Sequence, residues 1–305
     1  MIAKIKLAKK KILPVWVHMT EELHMIRILD YKDKEWEGKN FKLNFRFESK
    51  WNTVTRIIRM NGFSIGISQK NVNDKWHPGY FSPFSDNFLP FLSNLLDLFS
   101  CYDILLFIGS SLISAERLSN PIFRHCSYVK VLGVGKFTEQ KWAVLLKYAK
   151  PSNMLVIGCR MADDFIYPNI FNFPQLHVCF GEYINIDHLL NFNCERLSLD
   201  MYSISESDLN RFITNWLNGE NQKFYRLRLH RFRNEPNWEV MLDGIENKKW
   251  DGKRRPRYFT INGPHTVWEL DCKDGFDFER KDGKIGTVVQ NAYHFEFLVW
   301  NDRNL

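Results

Sequence analysis

These 305 residues contain no long apolar run and no recognisable secretion signal. A membrane-spanning helix needs roughly 18 or more apolar residues in succession. The most apolar window, residues 88–111, is interrupted by Asp97 and Asp103. The first residues, MIAKIKLAKKKILPVWV, are basic but lack the apolar stretch and cleavage site of a signal peptide. We therefore expect no membrane partner and an intracellular location, in the cytoplasm, the nucleus or both.

Cysteine is sparse and scattered. In a large chain expected to stay inside the cell, widely separated cysteines are typically reduced and mostly buried rather than joined in disulfides. There are six of them: Cys101, Cys126, Cys159, Cys179, Cys194 and Cys272.

The excess of one charge sign is small. There are 42 Lys and Arg residues against 35 Asp and Glu residues, which leaves a net charge of +7. Nucleic acid is therefore not the expected partner. The run Lys248–Arg257 (KKWDGKRRPR) is the basis of the alternative hypothesis, a basic nucleic-acid-associated protein, and could also act as a nuclear-import signal.

Motifs that carry chemistry are also missing. Gly133–Lys136 follows an apolar run, but Phe137 stands where a phosphate loop needs Ser or Thr. The pair His177-x-Cys179, with Cys194, is the best metal-ligand candidate, yet it is only one close pair, and a metal site usually needs several paired ligands a few residues apart. The sequence predicts no enzyme, no cofactor and no metal; an enzyme whose site assembles from distant residues is the remaining alternative.

What the chain does have is apolar material for a core: 45% of the residues are hydrophobic and 25 are Phe. Before residue 70, alternating runs such as FKLNFRF and FSIGISQ predict strands, with hairpin turns at Glu37–Asn40 and Asn61–Gly62. Ala3–Lys11 predicts a short basic helix that Pro14 should end. Residues 71–88, rich in Asn, Pro and Gly, predict a loop.

From residue 104 to residue 230, apolar runs of strand length alternate with helical segments. Three runs share an L-x-L or L-x-V spacing, similar to the strand of leucine-rich repeats. They are Phe173-x-x-Leu176-x-Val178, Cys194-x-x-Leu197-x-Leu199 and Phe224-x-x-Leu227-x-Leu229. Thr138–Ala149, Asp187–Phe192 and Ser205–Leu217 predict helices, the last with Ser205 and Asp208 as a capping box.

The predicted fold class is therefore α/β. We expect an irregular leucine-rich-repeat-like solenoid of strand-helix units with a mainly parallel sheet, flanked by N-terminal and C-terminal antiparallel hairpins. The C-terminal hairpin turns at Lys281–Lys284, because Asp-Gly accepts the positive φ of a tight turn. The predicted boundaries are 1–22, a short basic helix, and 23–305, subdivided into 23–87, 88–232 and 233–305.

Three segments resemble the type 2 F-box-associated domain of the F-box B family of nematodes. They are Asp208–Leu229, with the Asn-Trp-Leu-x-Gly run at residues 215–219; the hairpin GFDFERKDGKIGTV at residues 275–288; and FEFLVW, ending in Val299 and Trp300.

The resemblance implies a non-enzymatic protein-protein interaction domain, the target-recognition part of an F-box (SCF-type) ubiquitin ligase substrate adaptor. In that family an F-box docks on a Skp-type adaptor. This sequence lacks the Leu-Pro-rich F-box start, and Ala3–Lys11 resembles only its last helix, so we expect a truncated or absent F-box and a protein target rather than a Skp-type adaptor as the main partner.

Strand alternation then predicts where a target would bind. Leu197, Leu199, Leu227 and Leu229 should point into the core, and residues of the other parity should form an open, mixed-charge surface. We call this surface the polar face. Its members are His177, Cys179, Arg196, Ser198, Asp200, Arg226, Arg228 and His230.

Overall fold

A computed structural model describes most of the chain. The described residues are 13–20, 23–29, 41–48, 56–60, 63–72, 75–81, 88–97, 102–163, 170–219, 223–230, 236–262, 267–291 and 294–300. The chain divides into an N-terminal unit, residues 1–152 and 158–165, and a C-terminal unit, residues 153–157 and 166–305. The subdivision predicted from sequence stays a prediction, and Ala3–Lys11 lies outside the described residues.

The N-terminal unit contains two groups of strands. The first is ordered β8-β7-β1-β2-β3, with β1 parallel to β7, β7 parallel to β8, and antiparallel pairs β1-β2 and β2-β3; the second, β4-β5-β6, is antiparallel. The strands are β1 (Leu13–Met19), β2 (Leu23–Leu29), β3 (Phe41–Glu48), β4 (Arg56–Met60), β5 (Phe63–Val72), β6 (Lys75–Phe81), β7 (Tyr102–Gly109) and β8 (Cys126–Leu132). The helices are α1 (Phe88–Leu96), α2 (Ala115–Leu118) and α3 (Glu139–Tyr148), with 3-10 turns at Ser110–Leu112 and Pro121–His125.

The predicted N-terminal hairpins are confirmed by the β2-β3 and β4-β5 pairs. The predicted loop at residues 71–88 is wrong in part, because Lys75–Phe81 forms β6. Pro78 and Gly79 suggested a break, but β6 is the last strand of its group, where a residue without an N–H is tolerated. Strand β1 was not predicted from the sequence. The alternation of Val15, Val17 and Met19, which are all buried, is the pattern that could have predicted it.

The C-terminal unit contains the strand-helix units. Its strands are β9 (Met154–Ile157), β10 (Gln175–Val178), β11 (Arg196–Leu199), β12 (Arg226–His230), β13 (Lys248–Lys249), β14 (Tyr258–Asn262), β15 (Val267–Asp271), β16 (Phe276–Glu279), β17 (Ile285–Gln290) and β18 (His294–Val299). Its helices are α4 (Ile186–Leu190), α5 (Glu206–Asn218) and α6 (Trp238–Met241), with a 3-10 turn at Ile170–Asn172.

Most strands of this unit lie in one sheet. Strands β9, β10, β11 and β12 are parallel neighbours, and β18, β17, β16 and β13 continue from β12 as antiparallel neighbours. β14 and β15 form a separate hairpin. The α/β class, the mainly parallel arrangement of the strand-helix units and the flanking antiparallel hairpins are confirmed. The leucine-rich-repeat-like solenoid is not confirmed by these observations.

The local signals behind these elements behave as expected. Ser205 caps α5 and exchanges hydrogen bonds with Asp208 in a capping box, and Thr138 caps α3. Gly283 turns the C-terminal hairpin with φ +83°, the conformation that Asp-Gly predicts. Four cysteines are buried and Cys179 is half-buried, which confirms the predicted burial of most cysteines; Cys101 lies outside the described residues.

The core of the C-terminal unit lies between α5 and the sheet. Leu197, Leu199, Leu227 and Leu229 are at most 1% exposed, which confirms their predicted inward parity. From the helix, Phe212 and Trp216 pack on Phe297 with ring centroids 5.3 and 5.2 Å away. Burying aromatic side chains of this size contributes several kcal/mol in total to folding, about 1.5–3 kcal/mol each.

Gly286 is required by this packing. A Cβ at this position would lie 2.9 Å from the Trp216 ring. Trp216 belongs to the Asn-Trp-Leu-x-Gly run and Gly286 to the C-terminal hairpin, so two of the segments that carry the family resemblance are in direct contact.

Candidate functional site

The polar face lies on strands β10, β11 and β12, opposite the buried leucines. His177, Ser198 and Arg228 are register partners across the three strands. Cys179 and Asp200 directly follow the ends of β10 and β11. All members of the polar face are half-buried except Arg226, which is 6% exposed. The structure therefore brings the predicted residues together, on a surface that is less open than alternation alone suggested.

One end of the face is an ion-pair group. Arg226 donates from Nε and Nη2 to the two carboxylate oxygens of Glu296, at 2.9 and 3.0 Å, and Arg228 donates from Nε to Oε1. Glu296 is fully buried. Bidentate hydrogen bonds between charged partners are stronger than hydrogen bonds between neutral groups. Here they satisfy a carboxylate whose burial without a partner would be unfavourable.

Glu296 was missed by the sequence reasoning. It lies on β18, 70 residues after Arg226 along the chain. The sequence pattern that could have revealed it is an acidic residue between Phe295 and Phe297 in an apolar strand. A carboxylate buried in such a strand indicates a partner of opposite charge. Sequence alone could not supply that partner, because the pairing of β12 with β18 was not predicted.

The other end is a histidine group around Asp200. His177 Nε2 lies 3.2 Å and His230 Nε2 lies 3.6 Å from Asp200 Oδ1. The two imidazole rings stack with centroids 5.3 Å apart and planes inclined by 7°. Cys179 Sγ lies 3.9 Å from His177 Nε2, and the His294 ring is 4.6 Å from the His230 ring.

The two histidines differ in protonation. Burial lowers the pKa of His177, but its contacts with Asp200 and Cys179 outweigh burial and raise that pKa to about 9. Burial lowers the pKa of His230 to about 4; Asp200 opposes this, while positive charge at His177 and Arg228 adds to it. Near neutral pH the charged His177 and the neutral His230 thus share one carboxylate.

Aromatic residues border the face. The Arg196 guanidinium lies 4.6 Å from the Tyr225 ring centroid, and that of Arg226 lies 5.9 Å from the Trp268 ring centroid. Trp268 is 38% exposed and neighbours Val267, which is 67% exposed. Exposed Trp beside Arg is a composition typical of protein-binding surfaces. Trp268 was not predicted as a site residue, because no strand was predicted from the sequence at β14 or β15.

The basic run Lys248–Arg257 is not a free cluster of charge. Arg255 is buried and donates to both oxygens of Asp277, while Arg257 pairs with Asp271 at 2.6 Å. Arg254 lies 3.5 Å from Glu279. Asp277 also accepts from Thr287, and Thr287 accepts from the Trp300 indole. Acidic partners thus offset much of the positive charge that the sequence displays here.

A cavity of about 550 Å³ lies on the helix side of the C-terminal unit. The Asn-Trp-Leu-x-Gly run contributes Asn215, Trp216 and Gly219 to its lining. Trp216 Nε1 is buried and has no hydrogen-bond partner among the described residues. The remaining lining is mainly apolar, with Leu189, Phe192 and Phe224.

No helix in the part of the chain that the structure describes is long and apolar enough to cross a membrane.

Comparison with known proteins gives a consistent result. Residues 167–229 match the F-box associated family. Uncharacterized protein F59B2.9 of Caenorhabditis elegans is 26% identical over 151 residues, 48% of this chain and 35% of its own length. Uncharacterized protein F59B2.8 of the same organism is 26% identical over 145 residues, 46% of this chain and 33% of its own.

A third relative, uncharacterized protein F54H12.5 of Caenorhabditis elegans, is 22% identical over 274 residues, which cover 86% of this chain and 76% of its own length. The chain thus spans about a third of the length of the first two relatives. No solved structure matches the chain significantly.

The matched segment begins before β10 and ends at Leu229, so it contains seven of the eight residues of the polar face. The resemblance drawn from the sequence is confirmed to this extent: residues 167–229 match the F-box associated family, and the chain is similar to proteins of a nematode.

Proposed function

We propose that this chain is a non-enzymatic, intracellular protein-recognition domain that selects a target for an F-box (SCF-type) ubiquitin ligase, and that it binds the target with the polar face. The observation that carries the proposal is the position of the family match. Residues 167–229 include β10 and β11 and most of β12, the strands that present the polar face.

The chemistry of the face supports recognition of a protein. Arginine guanidinium groups, imidazoles and a carboxylate stand in fixed positions on neighbouring strands, with Trp268 beside them. Such a surface can pair with both signs of charge and can bury an aromatic anchor. We also infer that the units carrying β9 to β12 act as an irregular leucine-rich-repeat-like array, since such arrays bind partners through their sheet surfaces.

Ser198 is the best position to test the proposal. It lies between His177 and Arg228 in register, and its small, half-buried side chain takes part in neither charged group. Ser198→Arg adds bulk and charge at the centre of the face. Thr214→Arg, the matched control, places the same side chain at an exposed position of α5, on the opposite side of the sheet.

Affinity capture with quantitative mass spectrometry compares the two variants with the wild-type chain. We expect at least one protein to be lost with Ser198→Arg and retained with Thr214→Arg, and the ubiquitylation of that protein to fall in cells that express Ser198→Arg. Identical captured sets from both variants would contradict the proposal. Recovery of a Skp-type adaptor in the same captures tests the connection to the ligase.

The ion pairs of Arg254, Arg255 and Arg257 argue against the alternative, a nucleic-acid-associated protein. Binding to random DNA or RNA that weakens steeply with salt would support that alternative instead. We expect no such binding at 150 mM salt, the approximate physiological ionic strength.

A further inference from the structure

His177, Asp200 and His230 have the geometry of metal ligands. Their ligand atoms, two imidazole nitrogens and a carboxylate oxygen, all lie within 4.8 Å of one another. The carboxylate oxygen is 3.2 Å from one nitrogen and 3.6 Å from the other. The three groups lie next to one another at the edge of the polar face.

These spacings suit a tetrahedral ion. Zinc binds imidazole nitrogen and carboxylate oxygen at about 2.0–2.2 Å, and a tetrahedral angle then separates two ligand atoms by about 3.3–3.5 Å. The two observed distances bracket this range. The two imidazole nitrogens lie within 4.8 Å of each other, so rotation of the imidazole rings would bring all three ligand atoms around one ion.

The backbone fixes the three residues. His177 lies within β10, His230 is the last residue of β12, and Asp200 follows β11. The Asp200 N–H donates to Val178 and its carbonyl accepts from Gly181, at 2.9 and 3.0 Å. Ligands held by adjacent parallel strands need little ordering to bind an ion.

The site is also accessible. The side chains of His177, Asp200 and His230 are 24%, 25% and 22% exposed. The neighbouring Arg228 is paired with Glu296, which also pairs with Arg226. An ion can enter from solvent, and both imidazoles must be neutral to bind it.

We propose that His177, Asp200 and His230 bind a divalent transition-metal ion of the zinc class. Two imidazoles with one carboxylate favour zinc, copper or nickel over magnesium and calcium, which prefer oxygen ligands alone. Three protein ligands leave a fourth coordination position for water or for a side chain of a bound protein. The metal candidate weighed from sequence, His177 with Cys179 and Cys194, is thereby replaced, since Cys194 is fully buried.

The test uses the full chain after treatment with a chelator. Isothermal titration with Zn²⁺ measures stoichiometry and affinity, and Co²⁺ reports tetrahedral coordination through its visible absorption bands. We expect one equivalent of metal. Asp200→Asn and His230→Gln should each weaken binding more than about 100-fold, since even residues that only support a ligand change affinity by about 10–100-fold.

The matched control is His125→Gln, which removes an exposed histidine from the other unit. It should bind as the wild-type chain does. Far-ultraviolet circular dichroism confirms that each variant is folded before its affinity is compared. Asp200→Asn preserves size and hydrogen bonding, so it separates loss of a ligand from loss of the fold.

Failure of the folded wild-type chain to bind Zn²⁺, or binding that survives in a folded triple variant of His177, Asp200 and His230, would overturn the proposal. Equal weakening by His125→Gln would do the same, because it would indicate general surface binding. The proposal does not depend on target recognition, so either can fail alone.

Discussion

Two neighbouring charged groups share the polar face but differ in what their charges contact. Arg226 and Glu296 are 7% and 0% exposed in their side chains and meet each other through two hydrogen bonds. In the histidine group, Asp200 is 25% exposed and lies between two imidazoles. The charges of the first group are buried and paired with each other; the second group keeps access to solvent.

Glu296→Gln should break the closed group with the largest effect. It leaves two guanidinium groups, one of them buried, without their carboxylate. We expect a loss of about 3–5 kcal/mol in the free energy of unfolding. Urea unfolding followed by circular dichroism measures it. Glu279→Gln, whose side chain is 57% exposed beside Arg254, is the control and should cost less than about 1 kcal/mol.

Arg228→Gln should cost less than Glu296→Gln. Arg226 keeps both of its bonds to Glu296, so only one charged hydrogen bond is lost, worth about 1.5–3 kcal/mol. The same urea experiment measures the difference. If Arg228→Gln lowered the free energy of unfolding as much as Glu296→Gln does, the bonds of Arg226 and Arg228 to Glu296 would not be independent of each other.

Asp200→Asn should lower the free energy of unfolding by less than Arg228→Gln does. Its side chain is partly solvated, and ion pairs of that kind typically contribute no more than about 1 kcal/mol. The substitution should instead lower the pKa of His177 from about 9, because the carboxylate that stabilises the imidazolium is gone. Histidine NMR titration of the chelator-treated chain checks this. An unchanged pKa would show that the Asp200 contact is not the cause.

The two histidines should also give the stability of the metal-free chain opposite slopes against pH. The pKa of His177 is raised in the folded state, so its contribution is complete below pH 6.5 and is lost as pH rises through about 9. The pKa of His230 is lowered, so its contribution is complete above pH 6.5 and is lost as pH falls through about 4.

Urea midpoints measured across this range test the assignment. His177→Gln should flatten the alkaline slope and His230→Gln the acidic one. The reverse assignment, with His177→Gln flattening the acidic slope, would show that the proton resides on the other ring.

Local sequence signals predicted much of the C-terminal unit. The L-x-L spacing placed Leu197, Leu199, Leu227 and Leu229 in the core, and Ser205 with Asp208 placed the start of α5. These predictions succeeded because alternation and capping depend on neighbours within a few residues. The same alternation predicted which residues share the polar face. The role of that face in binding a target stays a prediction.

The wrong predictions concern features that depend on how strands pair in the folded chain. Lys75–Phe81 was predicted as loop because Pro and Gly are local signals for a break, yet the edge position of β6 tolerates them. Arg226 was predicted on an open surface, and its burial by Glu296 depends on the partner strand β18.

The sequence by itself determined the class of the fold, the inward leucines, the capped helices, the Asp-Gly turn and the resemblance to the F-box associated family. Each depends on residues close together along the chain or on a recognisable motif. Only the tertiary structure decided which charges neutralise each other and which converge. Glu296 reaches Arg226 across 70 residues, and Asp200 meets two histidines from two other strands. Strand order sets those distances, and strand order is fixed by packing of the whole unit rather than by any local pattern.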